Sequence, residues 1–356
     1  MDTPEMEIQT TRKQYIVIHT AIVILNWNTR HQLAKFLPIL IQYTPLENNK
    51  IIVADNASTD DSVEFIEKNY SQIQVIKLDN NYGFAEGYNR ALSQIEAKYY
   101  ILLNSDIEVT ENWLPPLIKL LENNPEIAAC MPKFLSFNNR EYFEYAGAAG
   151  GYIDYLGYPF CRGRIFDSLE KDNGQYNGIL EVFWATGACF AVKADIYHNL
   201  GGLDPFFFAH MEEIDICWRM LNNGYKIFCT SESVVYHIGG GTLPKGNPRK
   251  TFLNFRNNLI LLYKNLPENR RYIIAIRFVL NFLSILKYLL AKMPEDAKAV
   301  FNAYRGYYEY KSKFPRSGKI NSNPNPIVIY NKSIVWKYFI KKITKFSDLG
   351  WQDMSK

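Results

Sequence analysis

The sequence predicts an α/β fold. From Ile16 onward short β-rich runs alternate with helical stretches, and each run closes on a polar cluster. In open α/β sheets ligands sit beyond the carboxyl ends of the strands, so these clusters are expected to line one crevice. The first strand reads Ile16 to Leu25 and ends at Asn26-Trp27-Asn28, and a helix follows over Arg30 to Tyr43. Lys50 to Ala54 forms the second strand, closing on Asp55-Asn56, and Ser58-Thr59-Asp60-Asp61 caps a helix that runs to Asn69. Gln74 to Leu78 is a third strand, Phe84 to Ile95 a third helix, and Tyr99 to Leu103 a fourth strand that delivers Asn104-Ser105-Asp106. Asn26, Asp55, Asn80 and Asp106 should therefore face one another.

Residues 135–180, rich in Gly, Tyr and Asn with weak periodicity, read as a long excursion of loops and short strands. Regular structure resumes over Glu181 to Trp184 and Gly187 to Val192. A helix from Met211 to Leu221 is stopped by Asn222-Asn223-Gly224. A last strand, Ser233 to Tyr236, brings His237 to the glycines 239–241.

With 356 residues, 47% of them hydrophobic, the chain can bury a large core and reads as one large domain plus an extension. The five cysteines are scattered and never form a CxxC pair, which argues against a disulfide framework or a structural zinc and for a reducing compartment. The opening run MDTPEMEIQTTRKQY is acidic at its start and lacks an apolar segment, so no secretory leader is expected and the catalytic part should be cytoplasmic. Net charge is divided unevenly. Residues 1–244 carry 18 Lys/Arg against 30 Asp/Glu, a net of −12, and residues 245–356 carry 22 against 6, a net of +16. The second part is suited to a polyanion, either nucleic acid or an anionic membrane.

Five clusters carry candidate chemistry. Asp55-Asn56-Ala57-Ser58-Thr59-Asp60 can accept hydrogen bonds from a base or sugar, although Ser58 or Thr59 alone would serve as a helix cap. The run from Asn80 to Arg90 sets Gly83 and Gly87 at a helix start, where the amino end and Arg90 favour an anion such as a diphosphate; a plain turn is the other reading. Asp106 can tether a hard divalent cation whose remaining positions phosphate oxygens fill, or it can be a polar turn. His237 is its candidate partner, against a structural role. Glu212 and Asp215 share one face of their helix and Glu213 is turned about 100° from it. These acids either complement the helix dipole or, shielded by the run Gly201 to Phe208, supply a general base; burial separates the two readings.

Taken together, the motifs resemble the inverting family 2 glycosyltransferases of the GT-A fold, with the rhamnosyltransferase-like branch nearest. The resemblance spans residues 20–265 and rests on Asn26-Trp27-Asn28, VADNASTDDS, NNYGFAEGYNRAL, NSD, TGACFAVKADIYHNLGGLDPFFFAHMEEIDICWRM and VVYHIGGGT. It implies a mixed, mostly parallel central sheet flanked by helices, with a catalytic domain over 16–265 between a tail at 1–15 and a basic helical extension at 266–356. Asp55 would accept from the nucleotide base. Asn26, Asn56, Asp60, Gly83, Asn89, Arg90 and Ser105 would lie along the donor nucleotide. Asp106 and His237 would bind a divalent cation, Mg or Mn, and Glu213 would deprotonate the acceptor hydroxyl. Trp184, Gly187, Glu212 and Asp215 would contact the acceptor or support the site. Asn104 stands where the first acid of a DxD motif would be, which leaves the cation to Asp106 and His237.

The implied activity is transfer of a sugar from a nucleotide-diphosphate donor, dTDP-rhamnose or a UDP-hexose, to a hydroxyl of a glycan or lipid-linked glycan in surface polysaccharide synthesis. A nucleotidyltransferase would want a Gly-rich basic signature near the first strand, which Asn26-Trp27-Asn28 does not supply. A degenerate nucleotide-sugar or glycan binding module is the remaining alternative. Residues 272–291 have the length of a membrane span, but Arg277, Asn281, Ser284 and Lys287 fall within an arc of about 120° and make the helix amphipathic. It is suited to docking on an anionic inner leaflet, or to packing on its own domain or a dimer partner. No nucleic-acid-binding motif accompanies the charge, so nucleic acid is not expected as a partner.

Overall fold

The computed structural model describes residues 18–239, 247–315 and 328–351. The expected tail at 1–15, the first two residues of the opening strand, and Gly240 and Gly241 lie outside them. The opening half alternates as expected: β1 (Ile18–Asn26), α1 (Arg30–Tyr43), β2 (Asn49–Asp55), α2 (Ser62–Asn69), β3 (Gln74–Lys77), α3 (Gly83–Leu92) and β4 (Ala97–Leu103). Each of β1, β2 and β4 contains five consecutive buried residues, the continuous apolar run that a parallel strand covered on both faces requires. β5 (Ile107–Val109), α4 (Pro115–Asn123) and β6 (Ile127–Ser136) follow.

The excursion holds short strands β7 (Gly151–Asp154), β8 (Pro159–Cys161), β9 (Arg164–Ile165), β10 (Ser168–Leu169) and β11 (Ile179–Glu181). Regular structure expected over Glu181 to Trp184 ends at Glu181; beyond it Val182 N–H donates to Ile227 O and Trp184 only bridges Gly151. Then come β12 (Cys189–Lys193), α5 (Ala194–Asn199), α6 (Glu212–Asn222), β13 (Lys226–His237), α7 (Pro248–Asn265), α8 (Tyr272–Leu290), α9 (Pro294–Lys313) and β14 (Ile329–Tyr330).

The main sheet runs β11-β13-β6-β12-β4-β1-β2-β3, with β5 also paired to β13. The β4-β1-β2-β3 block is parallel, β12 enters antiparallel between β4 and β6, and β6 and β13 are again parallel. This is the mixed α/β sheet with flanking helices that the motifs imply. A second sheet, β10-β9-β8-β7-β14, is closed by a strand from beyond residue 265. Val328, Tyr330, Ile334, Phe346 and Leu349 join the same apolar core as the central strands, so the extension is woven back onto the domain.

Candidate active site

The parallel register aligns Asn26 with Asp55 at the ends of β1 and β2. Asn26 Nδ2 donates to Asp55 Oδ1 at 2.7 Å and to Ser58 Oγ at 2.9 Å, and Ser58 N–H donates to Asp55 Oδ2 at 3.0 Å. Both Asp55 oxygens thus clip two strand-end turns together. Asn28, in the left-handed region at φ 54°, accepts from the N–H groups of Thr59 and Asp60. Burial acts to raise the Asp60 carboxyl, but the Ser62 hydroxyl and then the N–H groups of Arg30 and Ser62 donate to it and hold it below the ordinary value. Asn56 reaches across to the next turn, donating to Asn81 Oδ1 and Gly83 O and accepting from Tyr82 N–H.

At α3 the structure departs from expectation. Gly83 has φ +75°, and a Cβ there would stand 2.6 Å from the Phe208 ring. The first turn of α3 is closed by Phe208 O, which accepts from Phe84 N–H at 2.9 Å and Ala85 N–H at 3.4 Å, so these donors are not aimed at an anion. Arg90 is turned onto Glu86 (2.7 Å) and over the Tyr82 ring (3.8 Å). Asn89 faces away from the strand ends: it accepts from Tyr197 Oη and Leu203 N–H and donates to Leu203 O, pinning the loop before α6. A helix start and a glycine announce an anion seat only while the first N–H groups stay open, and here another loop fills them.

Asp106 follows Asn104 and the half-buried Ser105, and Asn104 N–H donates to Ala188 O. Pairing of β5 with β13 sets Ile107 opposite His237, which brings His237 Nε2 to 3.1 Å from Asp106 Oδ1. The expected pair therefore forms across 131 residues of chain. A third group, absent from the sequence reading, completes it: Glu144 Oε2 lies 3.3 Å from His237 Nδ1. Burial opposes a charge on His237, yet hydrogen bonds and charges from Asp106 and Glu144 carry its pKa up to about 10. Glu144 stands in the Gly- and Tyr-rich excursion, where no periodicity marks it; two hydrogen bonds between its segment and β6, Glu144 N–H to Phe134 O and Phe134 N–H to Ala148 O, turn it inward.

Among the described residues no three His, Cys, Asp or Glu side chains converge as a ready metal cage. The two carboxylates sit on opposite sides of one imidazole. The cluster is acidic, but both ring nitrogens of His237 face a carboxylate, so a cation would have to take the place of the imidazole's proton.

The second wall is α6. Its approach is strained, with Phe208, His210 and Met211 at φ 62°, 71° and 72°. Asn257 of α7 hangs that approach by donating to the carbonyls of Phe207, Ala209 and His210. Glu212 is buried and Glu213 half-buried, and each has an Oε2 with no hydrogen-bond partner. Burial raises the Glu213 carboxyl to about 7; burial and then the Glu213 charge push Glu212 well above its ordinary value. Burial is the feature that separates a dipole complement from a base, and here Glu212 is buried and Glu213 half-buried.

Asp215 behaves differently. Wholly buried, it receives Arg219 Nε at 2.9 Å, Lys264 Nζ at 2.8 Å and Asn265 Nδ2 at 2.8 Å, and despite burial these cations hold its carboxyl low. Trp184 is buried with Nε1 donating to Tyr152 O and its ring flat on Gly151, where a Cβ would come within 2.1 Å. A Cβ on Gly187 would stand 3.2 Å from the Phe84 ring and 3.6 Å from Glu213 Cβ, so the missing side chain leaves room beside the acid. The two walls adjoin. Gly147, three residues past Glu144, abuts Thr186, and the buried Cys161 thiol, raised to about 11 chiefly by burial, is pushed the same way by the charges of Glu144 and Glu213.

The mixed sheet with its flanking helices is a GT-A-like fold. Residues 21–200 match the model for glycosyl transferase family 2, and the chain belongs to that family. It is 25% identical to N-acetylgalactosaminyltransferase 4 of Drosophila melanogaster over 69% of this chain and 40% of that one. Against N-acetylglucosaminyl-diphospho-decaprenol L-rhamnosyltransferase of Mycobacterium tuberculosis identity is 21%, over 62% of this chain and 76% of the other. The chain spans less than half of the fruit-fly relative and 16% of the O-antigen biosynthesis protein RfbC of Myxococcus xanthus. Among solved structures, GalNAc-T7 with UDP, GalNAc and Mn2+ superposes with a TM-score of 0.59 at 17% identity, over 85% of this chain and 59% of that one. S. aureus TarS 1-349 in complex with UDP-GlcNAc gives 0.54 at 16%, over 81% of each chain. These likenesses show the fold.

Proposed function

We propose that the chain is an inverting glycosyltransferase that moves a sugar from a nucleotide-diphosphate donor, dTDP-rhamnose or a UDP-hexose, to a hydroxyl of a glycan or lipid-linked glycan. The observation that carries this reading is Glu213: a half-buried carboxyl at about 7 with an unpartnered oxygen, beside a side-chain-free Gly187. A base with that pKa is ionised often enough to work at neutral pH and basic enough to take a hydroxyl proton.

In this scheme Glu213 accepts the acceptor's O–H proton as that oxygen attacks the anomeric carbon. The carbon–oxygen bond to the diphosphate breaks on the opposite face, and the nucleoside diphosphate leaves with the electron pair. Asn26, Asp55, Asn56 and Asp60 keep the strand-end turns in shape for the base and ribose, and Asp215 holds α6. Asp106 and His237 would hold Mg or Mn, with Glu144 backing the imidazole. A bound cation would supply positive charge against the departing diphosphate. The names of the relatives support a diphosphate-linked donor and, for the mycobacterial protein, a polyprenol-linked acceptor. A nucleotide-sugar donor places the work in the cytoplasm, and a lipid-linked acceptor places it at the inner face of the membrane.

Thermal shift with dTDP- and UDP-sugars, with and without Mg or Mn, tests the donor side on wild type and Asp106→Ala. Stabilisation by one nucleotide only with metal, lost in the variant, is the expected result. No shift with any nucleotide sinks the reading. Binding without sugar transfer by the wild-type chain would instead favour the degenerate binding module, which Asn104 in place of an acid makes the second candidate.

A further inference from the structure

α8 is amphipathic, but it is mounted the wrong way round for a soluble protein. Two of its polar positions, Arg277 and Asn281, face inward, while Ser284 is half-buried and Lys287 exposed. Arg277 and Asn281 are 3% and 1% exposed, and Arg277 donates from Nη1 to Leu156 O and lies 3.5 Å over the Tyr158 ring. Its apolar positions face outward: Tyr272, Ile276, Val279, Phe282, Leu283, Leu286, Leu289 and Leu290 are all exposed, Val279 at 62% and Leu290 at 87%. At 100° per residue these eight fall on one arc of about 140°, opposite Arg277 and Asn281. A buried polar stripe under an exposed apolar one is costly in water, and a contiguous exposed patch of this size marks an interaction surface.

The patch continues beyond the helix. The ring of Phe278 of α8 lies 5.9 Å from that of Tyr308 of α9, tilted against it, and Tyr308 and Phe301, seven residues apart on one side of α9, are 56% and 59% exposed. On the other flank Lys287 Nζ sits 5.2 Å from the ring of exposed Phe339, in a short π-helical turn with exposed Trp336 and Ile340. Exposed Lys341, Lys342 and Lys345 follow directly, and exposed Lys292 follows α8. An apolar face rimmed by lysines, in a segment of net charge +16, complements an anionic lipid surface.

We propose that α8 lies in the plane of an anionic bilayer as a one-sided anchor, its Arg277–Asn281 stripe docked on the catalytic domain and its apolar stripe sunk among the acyl chains. Length and composition alone would allow a span over Glu268–Leu290. Packing argues for the in-plane arrangement. α9 runs back alongside α8 and α7, and Tyr304 Oη donates to Phe278 O. If α8 crossed the bilayer, α9 would be drawn in with Glu295, Asp296, Lys298, Arg305 and Glu309, charges that membrane interiors exclude. The proposal stands on this surface alone and needs no sugar transfer.

The test is flotation of the full chain with vesicles of phosphatidylcholine alone or with 30% phosphatidylglycerol, a probe composition set at roughly the anionic fraction that attracts polybasic segments. Wild type is expected to float with the anionic vesicles, and Val279→Asp/Phe282→Asp to lose at least tenfold in bound fraction. Both replaced side chains are exposed, so the variant should keep the wild-type melting temperature. Lys341→Glu/Lys342→Glu should lose several-fold and leave the weaker binding to neutral vesicles unchanged. Wild-type flotation that the aspartates do not reduce overturns the proposal, as does failure to bind anionic vesicles. A dimer that the aspartates split, with no flotation, would assign the face to a second copy and also overturn it. A tag after residue 351 and one on the α8–α9 turn should both be protease-accessible on the same side of a vesicle; protection of the turn would mean a span.

Discussion

The two walls of the crevice are built from opposite kinds of polar group. On the strand-end wall, the proposed nucleotide wall, Asn26, Asp55 and Asn56 spend their amides and carboxylate on one another, on neighbouring side chains and on backbone, so the turns are held as a fixed scaffold. On the acid wall Glu212 and Glu213 each keep a buried oxygen without a hydrogen-bond partner. Saturated polar groups give shape. Unsaturated ones are held at a cost of about 1–3 kcal/mol each, and that cost is tolerated where a reacting proton will meet them. Asp215 shows that proximity is not enough: it shares a helix with Glu213 and, fully paired, belongs with the scaffold.

The contrast can be broken from the acid side first. Glu213→Gln should lower kcat by about 10²–10⁴-fold, the usual contribution of a positioned base. Donor affinity, measured by titration calorimetry, should stay within a few-fold of wild type. An equal loss of binding and turnover would return Glu213 to the scaffold.

Asp215→Asn should do the reverse. Removing the charge that Lys264 and Arg219 share leaves Arg219 without a carboxylate and Lys264 with Asp204 alone, a loss of about 1–3 kcal/mol, read as a lower urea midpoint. Survivors at low temperature should retain the acid limb of the pH profile.

The mildest test is pH. With Glu213 at about 7, kcat/KM should rise roughly tenfold per pH unit below that value and level off above it. The stability sign is opposite. A carboxyl whose folded pKa lies above its unfolded 4.5 binds more protons when folded, so stability falls as pH rises from 4.5 through about 7. Glu213→Gln should therefore melt higher than wild type above pH 7 and no differently near pH 4.5. An unchanged melting temperature at pH 8 would mean that the carboxyl is not disfavoured as an anion.

Much of the nucleotide wall was legible because central parallel strands are unbroken apolar runs and their ends are the first polar residues after them. The pairing of Asp106 with His237 depends on the register of β5 against β13, and local pattern carries no information about a partner 131 residues away. Glu144 sits in a segment without period. The helices α4, α7 and α9 are not among the sequence expectations, although each begins at a proline, a residue suited to a helix start. For α8 the sequence shows two faces, and which one turns inward is decided by Leu156 and Tyr158, contributed by the distant excursion.

The family match ends at residue 200, yet the acid wall is assembled almost entirely after it. Asn257 suspends the strained approach to Glu213, Lys264 and Asn265 seat Asp215, and Tyr310 reaches Asp204 at 3.0 Å. A fragment trimmed to the family boundary would keep a floor for the donor and lose the side that acts on it. Whoever shortens this chain for expression should keep it through Leu349, because Val328, Tyr330, Ile334, Phe346 and Leu349 share the central core, and the acids travel only with the helices that carry them.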